Sequence, residues 1–367
     1  MTIINPKLPS YSINMVKSLE TIPWNIQQTN ARALLPFTGT VSPVGAVIDT
    51  GLHTAHYEFT GRVFKAKSLS EENLVDTVGH GTHVAGIGVG KTKGMFPTAR
   101  VMPLQVKFET AQTQSQIWDA FLAILDHNRV CADIDKVVAV NCSFGGGIDP
   151  FVHHYIRELY TQGVSVICAA GNSGDNNPET HECLGAYPGY HYEVISVGAL
   201  NPDQTPAPFT SSFHGIDIAA PGVHVVSAWP SGDYMGLSGT SMAAPHIFGA
   251  VLLIKAIFRN KYGRWPSGEE TERMLFSFVK PLKGDVRLVG RGALLMPSAL
   301  TKTTTKTMDV APFIKSSRTF TPARFVAESL GAYVDGSKLP LVTASLDNKT
   351  ATFKIGSNKF VETDTLI

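Results

Sequence analysis

Three polar side chains, each beside glycine or a helix start, could together carry out nucleophilic catalysis. Asp49 ends the apolar run VGAVID, and a carboxylate at the end of a buried strand can orient and charge-stabilise an imidazole. His80 lies between two glycines in GHGTHVAG, at the predicted start of a helix, where it could act as a general base. Ser241 lies in GTSMAAPH at the start of a long apolar helix, where free backbone N–H groups would stabilise an oxyanion.

A fourth polar residue, Asn172 in AAGNSG, follows another apolar run and could donate a second hydrogen bond to an oxyanion. Each of the four has an ordinary structural interpretation when taken alone, as a turn or strand-end residue or as a helix N-cap. Together they supply a nucleophile, a base, an orienting acid and an oxyanion donor, and such a combination rarely arises by chance.

His80 and His83 are three residues apart and would share a helix face, so a metal-binding pair has to be considered. Zinc hydrolases generally use His-Glu-x-x-His, and this sequence lacks the intervening Glu. We therefore favour the general-base interpretation of His80, with a purely structural histidine pair and a metal-binding pair as the remaining alternatives.

Apolar runs rich in β-branched residues predict buried strands that alternate with helices. The predicted strands are residues 44–48, 137–140, 164–170 and 194–197, and the predicted helices are residues 114–128, 151–162 and 240–258. This alternation predicts an α/β fold with a mostly parallel central sheet and helices on both faces. The working residues of such sheets lie at the carboxyl ends of the strands, which is where Asp49 and Asn172 stand.

Composition excludes several classes of protein. With 43% apolar and 17% charged residues in 367, the chain can bury a large core and is not disordered. A formal net charge of +1 gives no electrostatic case for nucleic acid or an anionic membrane surface as a partner. Four cysteines do not make a disulfide framework at this length. The longest apolar stretch, about a dozen residues, is short of the ~20 that span a bilayer, so we expect no transmembrane segment.

Over about residues 19–300, the sequence resembles the subtilisin-like serine proteases, or subtilases. Residues 22–28 (IPWNIQQ) resemble the N-terminal segment of mature subtilisins, and residues 141–146 (NCSFGG) resemble the family's substrate-binding strand. The segments with the four polar residues look like the family's Asp, His, Ser and oxyanion-Asn boxes, in the chain order of subtilisin. The resemblance implies a three-layer subtilisin-like fold and a serine endopeptidase.

The resemblance also assigns roles to residues. It implies that Asp49 orients His80, that His80 activates Ser241, and that Asn172 donates to the oxyanion. The expected substrate-binding residues are Ser143, Phe144 and Gly145 along the cleft, and Ala169, Gly171 and Ala186 around the pocket for the residue before the cut. Small residues there predict an open, mainly apolar pocket. Cys142 and Cys168 adjoin this region, and we expect them to be buried small apolar side chains.

No cofactor is expected for the chemistry itself. Many subtilisins hold calcium in a loop just after the His helix, but here residues 86–97 form a short path containing Lys91 and Lys93. We expect that calcium site to be altered or lost. Glu20 and Glu58 are acidic residues that could still bind a structural Ca²⁺, although this ion needs six or more oxygen ligands and the sequence does not assign a site.

The two ends of the chain predict separate units. We divide it into an N-terminal extension, residues 1–18, a catalytic domain, residues 19–300, and a small C-terminal domain, residues 301–367. KLPSY, residues 7–11, is similar to the short extension of intracellular subtilisins, which blocks the cleft. The tail is similar to the copper amine oxidase N-terminal-like, or stalk, domain, with a predicted α+β fold and a helix at residues 322–330. It contains no His or Cys, so the name implies no copper.

Three functions remain open. The first is an active serine endopeptidase acting on protein or peptide substrates, the second a narrow-specificity processing or maturation protease, and the third a non-catalytic binding protein on a protease scaffold. The intact set of four residues argues against the third. The N-terminal sequence has no secretory signal, which favours a cytoplasmic enzyme or part of an exported one. The tail resemblance favours an extracellular or cell-surface location and an interaction with a protein or a surface.

Overall fold

The structure is a computed structural model that describes residues 22–69, 75–174, 187–213 and 215–300, together with the backbone of strands within residues 12–16 and 305–363. The chain divides into two compact units, Met1–Ser298 and Ala299–Ile367.

The first unit contains twelve strands and seven α-helices in its described part. The strands are β1 (Ser12–Val16), β2 (Val44–Asp49), β3 (Lys67–Ser68), β4 (Arg100–Gln105), β5 (Val137–Cys142), β6 (Ser165–Ala169), β7 (Val194–Leu200), β8 (Ile218–Pro221), β9 (Val225–Ala228), β10 (Tyr234–Ser238), β11 (Val279–Lys280) and β12 (Ala293–Leu294). The helices are α1 (Trp24–Thr29), α2 (His80–Val89), α3 (Thr113–Val130), α4 (Pro150–Thr161), α5 (Thr240–Tyr262), α6 (Gly268–Ser277) and α7 (Val286–Val289).

Nine of these strands form the central sheet, in the order β11-β12-β8-β7-β6-β5-β2-β4-β3. Each neighbouring pair is parallel except β11 and β12, which are antiparallel. The middle strands are buried on both faces, which explains why their sequences are continuous apolar runs rather than alternating ones. The predicted α/β fold with a mostly parallel sheet is therefore confirmed.

Helices cover both faces of this sheet. Alternate residues of β2, represented by Val44 and Ile48, join a core with α3 and α4, to which Phe121 and Ile156 contribute. The other face of β2 carries Gly45, and α5 packs so closely there that a Cβ on this glycine would lie 2.3 Å from the Phe248 ring. Helices α2 and α5 also contact one another on this side. The result is the expected three-layer arrangement.

Helix α5 is buried over most of its length. Every residue from Thr240 to Phe258 is buried, and the helix ends at Gly263, which adopts a left-handed conformation with φ of 72°. It is also the described helix that is long and apolar enough to cross a bilayer, but its apolar window is entirely inside the protein, as in a core helix.

Strand β4 was not predicted by the apolar pattern, because Pro103 interrupts its sequence. Proline cannot donate to the ladder and is usually found near sheet edges. Here β4 is the last strand but one, and the short edge strand β3 pairs only with Leu104 and Gln105, beyond the proline. The position next to the edge therefore accommodates Pro103.

A smaller antiparallel sheet has the order β1-β10-β9. In its register, Ser12 of β1 is the partner of Ser238, the last residue of β10.

The second unit is described only as backbone strands. They are β13 (Thr305–Asp309), β14 (Phe313–Lys315), β15 (Arg318–Phe320), β16 (Tyr333–Asp335), β17 (Leu341–Leu346), β18 (Lys349–Lys354) and β19 (Lys359–Thr363). Five of them form an antiparallel sheet of order β13-β19-β18-β17-β16, and β14 pairs with β15. The helix predicted at residues 322–330 lies outside the described residues.

Candidate active site

Asp49 and His80 meet where β2 ends and α2 begins. Nδ1 of His80 lies 2.7 Å from Oδ1 of Asp49, and both side chains are completely buried. A carboxylate can only accept, so the imidazole donates its Nδ1 proton and keeps Nε2 as its basic nitrogen. The same Asp49 oxygen accepts the backbone N–H of Thr50 at 2.8 Å, which fixes the orientation of the carboxylate.

The two glycines around His80 make this approach possible. Gly79 caps α2 with a φ of 95°, a conformation that other residues rarely adopt. A Cβ on Gly81 would lie 2.3 Å from the carbonyl oxygen of Gly51 and 3.0 Å from Cβ of Asp49. These glycines therefore let the helix begin against the end of β2.

His83 makes contacts typical of a structural histidine. Its Nε2 contacts the carbonyl oxygens of Val225 at 3.0 Å and Met235 at 2.8 Å, so this nitrogen carries a proton and is not available to a metal. Complete burial lowers the pKa of His83 to about 3, so the ring is neutral. This agrees with the structural interpretation of His83 and leaves the metal-pair alternative without support.

Ser241 is the second residue of α5 and is 1% exposed. Its hydroxyl donates to the backbone oxygen of Ser143 at 3.0 Å, which joins the start of α5 to the segment after β5. The first backbone N–H groups of an α-helix have no acceptor within the helix, so the position of Ser241 offers a donor to a bound oxyanion.

Asn172 follows β6 and is held by Thr240. Its Oδ1 accepts the backbone N–H of Thr240 at 2.9 Å and the Thr240 hydroxyl at 2.8 Å. These contacts turn the NH₂ group towards the residues before Ser241, and a Cβ on Gly239 would lie 3.1 Å from Nδ2. The contact of Thr240 with Asn172 was not predicted from the sequence, although Thr240 stands beside Ser241 in the GTS motif.

The residues expected to line the cleft are largely buried. Ser143, Phe144 and Ala169 are at most 3% exposed, and the Phe144 ring packs on Phe108 with centroids 5.5 Å apart. Gly145 and Gly171 are half-buried. The next residue after Gly145, Gly146, donates its backbone N–H to the backbone oxygen of Tyr187 at 2.8 Å, in an antiparallel bridge. Ala186 lies outside the described residues.

Cys142 and Cys168 are partners in the register of β5 and β6, and both are completely buried free thiols. Burial raises the pKa of Cys142 well above its ordinary value, and the neighbouring Cys168 raises it further. Both thiols therefore belong to the core, as expected from the sequence.

Glu58 is completely buried, and protein groups occupy both of its carboxylate oxygens. Oε2 accepts the backbone N–H groups of Thr92 at 2.7 Å and Lys93 at 3.2 Å, while Oε1 accepts the hydroxyls of Tyr234 at 2.8 Å and of Thr92. Burial lowers the pKa of Lys93, against the attraction of Glu58. In the described part of the chain, no group of three or more His, Cys, Asp or Glu side chains is placed to hold a metal ion. Glu20 lies outside the described residues.

Comparison with known proteins agrees with this fold. Residues 43–283 match the Subtilase family, and residues 300–366 match the copper amine oxidase N-terminal domain. The chain belongs to the subtilase family.

Its relatives include named serine proteases. An intracellular serine protease of Paenibacillus polymyxa is 32% identical over 304 residues, which are 79% of this chain and 90% of that protein. The major intracellular serine protease of Bacillus subtilis (strain 168) is 32% identical over 263 residues, 68% of this chain and 80% of that protein. Alkaline protease 1 of Aspergillus oryzae (strain ATCC 42149 / RIB 40) is 33% identical over 218 residues, 58% of this chain and 51% of that protein. The protein is thus a serine-type endopeptidase with a subtilase domain.

Proposed function

We propose that the enzyme cleaves peptide bonds through an acyl-enzyme on Ser241, with His80 as general base and Asp49 as orienting acid. The observation that carries this proposal is the buried 2.7 Å contact between Asp49 and Nδ1 of His80. It fixes the tautomer that a base needs, because Nε2 is then free of a proton and able to take one.

Two steps follow from these roles. Ser241 Oγ attacks the scissile carbonyl carbon while its proton passes to Nε2 of His80, and the imidazolium then gives this proton to the leaving amine. The peptide bond breaks, and the acyl group remains on Ser241 as an ester. A water molecule, deprotonated by His80, next attacks the ester, and the proton returns to Ser241 as the acid product leaves.

Negative charge on the carbonyl oxygen is met by two donors. One is the backbone N–H of Ser241 at the positive end of α5, and the other is the side-chain amide of Asn172. The contacts of Asn172 with Thr240 support this assignment, since they hold the amide in one orientation before substrate binds. The backbone of residues 143–145 would receive the peptide as an added strand.

The decisive experiment is labelling with a fluorophosphonate probe. We expect the wild-type protein to be labelled and Ser241→Ala to remain unlabelled. Ser196→Ala, which changes another fully buried serine, is the matched control and should label like wild type. Absence of Ser241-dependent labelling in folded protein lacking residues 1–18 would overturn the proposal and favour a binding protein on a protease scaffold.

We further propose that residues 1–18 restrict access to the cleft. Support comes from the register of β1, since Ser12 pairs with Ser238, three residues before the proposed nucleophile. Removing residues 1–18 should raise activity, and adding the removed peptide in excess should lower it again. Equal activity of both forms would contradict this proposal. Digestion of a peptide library by the shortened protein then separates a broad endopeptidase from a narrow processing protease.

For cofactors, we propose that the chemistry needs none and that Glu58 anchors the turn at residues 91–94 rather than a calcium ion. The four protein donors on its carboxylate support this role. For the tail, we propose a non-catalytic interaction module, on the strength of its match to the copper amine oxidase N-terminal domain.

A further inference from the structure

Asp76 is a buried carboxylate to which the proposed reaction assigns no role. It is 1% exposed and belongs to the loop before α2. Five donors surround it: Oδ1 accepts from Thr50 Oγ1 (2.9 Å), Val78 N (3.1 Å) and Gly79 N (2.8 Å), and Oδ2 accepts from Thr82 N (2.9 Å) and Thr82 Oγ1 (2.6 Å). A buried charge with so many donors is held in one position.

Three of these donors belong to the first turn of α2 and its cap. Gly79 at the N-cap has no side chain to bind the free N–H groups of the helix, and Asp76 binds them instead. Its negative charge also lies at the positive end of the helix dipole. Because His80 is the first residue of α2, between Gly79 and Thr82, Asp76 fixes the chain on both sides of the imidazole.

A fourth donor, Thr50, connects Asp76 to the end of β2. The Thr50 hydroxyl donates to Asp76 and accepts the backbone N–H of Gly81 at 2.9 Å. The Thr50 backbone N–H donates to the Asp49 oxygen that His80 also contacts. One hydroxyl thus links the residue after Asp49 to the residue after His80.

We propose that Asp76, acting through Thr50 and the start of α2, is the positioning residue that sets the Asp49–His80 geometry. This inference rests on the proposed function, because it assigns the support of the same catalytic pair. None of these five hydrogen bonds joins Asp76 to Asp49 or His80 itself. Because Asp76 would act on the geometry of the pair, its replacement should change turnover rather than substrate binding.

The sharpest test compares Thr50→Val with Thr50→Ser. Valine has nearly the shape of threonine but lacks the hydroxyl, so this change removes one of the five donors to Asp76 and the acceptor of the Gly81 N–H, whereas serine keeps the hydroxyl. We expect Thr50→Val to lower kcat by about 10-fold to 100-fold with KM within about twofold, since small displacements of catalytic groups cost up to ~10²-fold. Thr50→Ser should recover most of that loss.

Asp76→Asn should resemble Thr50→Val, because an amide NH₂ would face the N–H of Thr82. Asp217→Asn is the control, since Asp217 is a partly buried carboxylate that accepts the Ser196 N–H at 2.9 Å and makes no described hydrogen bond to Asp49 or His80. It should leave kcat unchanged.

Fluorophosphonate labelling separates the two proposals. If wild type is not labelled at Ser241, the proposed function fails. If wild type is labelled but folded Thr50→Val keeps the wild-type kcat, or if Asp217→Asn loses kcat equally, the positioning role of Asp76 is overturned. Should Asp76→Asn fail to fold, the two Thr50 variants decide alone.

Discussion

Ser143 and Ser241, 98 residues apart in the chain, exchange two hydrogen bonds. The Ser241 hydroxyl donates to the backbone oxygen of Ser143, and the Ser143 hydroxyl donates to the backbone oxygen of Ser241, each at 3.0 Å. The second bond exists because of Pro245. In an α-helix the carbonyl of Ser241 would accept the N–H four residues on, but proline has none, so the Ser143 hydroxyl takes that place.

Ser143→Ala should therefore destabilise the protein by about 1–3 kcal/mol, because a buried carbonyl loses its donor. Pro245→Ala restores a backbone N–H at the right position, so the same serine change should cost less in a Pro245→Ala background. Urea unfolding of the wild type, both single variants and the double variant measures this coupling. Strictly additive free energies of unfolding would show that Pro245 does not create the need for Ser143.

Lys255 gives a prediction about pH. It is fully buried, Nζ donates to the oxygen of Gly163 at 2.6 Å, and burial lowers its pKa from 10.5 to about 7, with Glu272 opposing the shift. Between pH 7 and 10.5 the unfolded chain binds this proton and the folded protein does not, so the contribution of Lys255 to stability rises with pH.

Lys255→Met should accordingly stabilise the protein, by on the order of a few kcal/mol at and below pH 7, with a gain that shrinks as pH rises through that window. Melting temperatures of wild type and variant across pH give the difference. The exposed residue Lys261, replaced by Met, serves as control and should show little pH dependence. A gain that grows with pH would contradict the assignment.

The buried thiols should resist alkylation. Iodoacetamide added to the native enzyme at neutral pH should leave Cys142 and Cys168 unmodified and activity unchanged, because both are completely buried and the pKa of Cys142 is raised. Peptide mapping by mass spectrometry locates the modified sites, and the same treatment in urea should modify both. Rapid inactivation that accompanies alkylation of either thiol in folded protein would show that they are accessible.

Glu58→Gln should lower the melting temperature by several degrees. The amide NH₂ would face two hydrogen-bond donors that now donate to a carboxylate oxygen. The exposed Glu269, replaced by Gln, is the matched control and should change little. The difference in melting temperature between calcium and EDTA should be the same in wild type and Glu58→Gln. Loss of a calcium effect in the variant would assign Glu58 as a ligand.

Sequence patterns predicted the sheet because β2, β5, β6 and β7 are apolar on both faces, and they predicted α3, α4 and α5 to within a few residues. They also placed Asp49, His80, Asn172 and Ser241 at element ends, where short motifs surround each residue. The hydrogen bonds that support the candidate site could not be predicted, because they join segments that are distant in the sequence. Asp76 looks like an ordinary loop carboxylate until the fold brings Thr50 and the start of α2 around it. Likewise, nothing local to Glu58 indicates that Tyr234 will bind it.

The burial of α5 has a consequence for how the enzyme would lose activity on heating. Ser241 is the second residue of a helix whose first nineteen residues lie inside the protein, so the serine cannot fray away without exposing the centre of the domain. Backbone amides in the buried middle of α5 should exchange with solvent deuterium only through global unfolding, and thermal inactivation should follow the unfolding transition rather than precede it. The edge strand β3 should exchange its amides earlier, because it pairs on one side only.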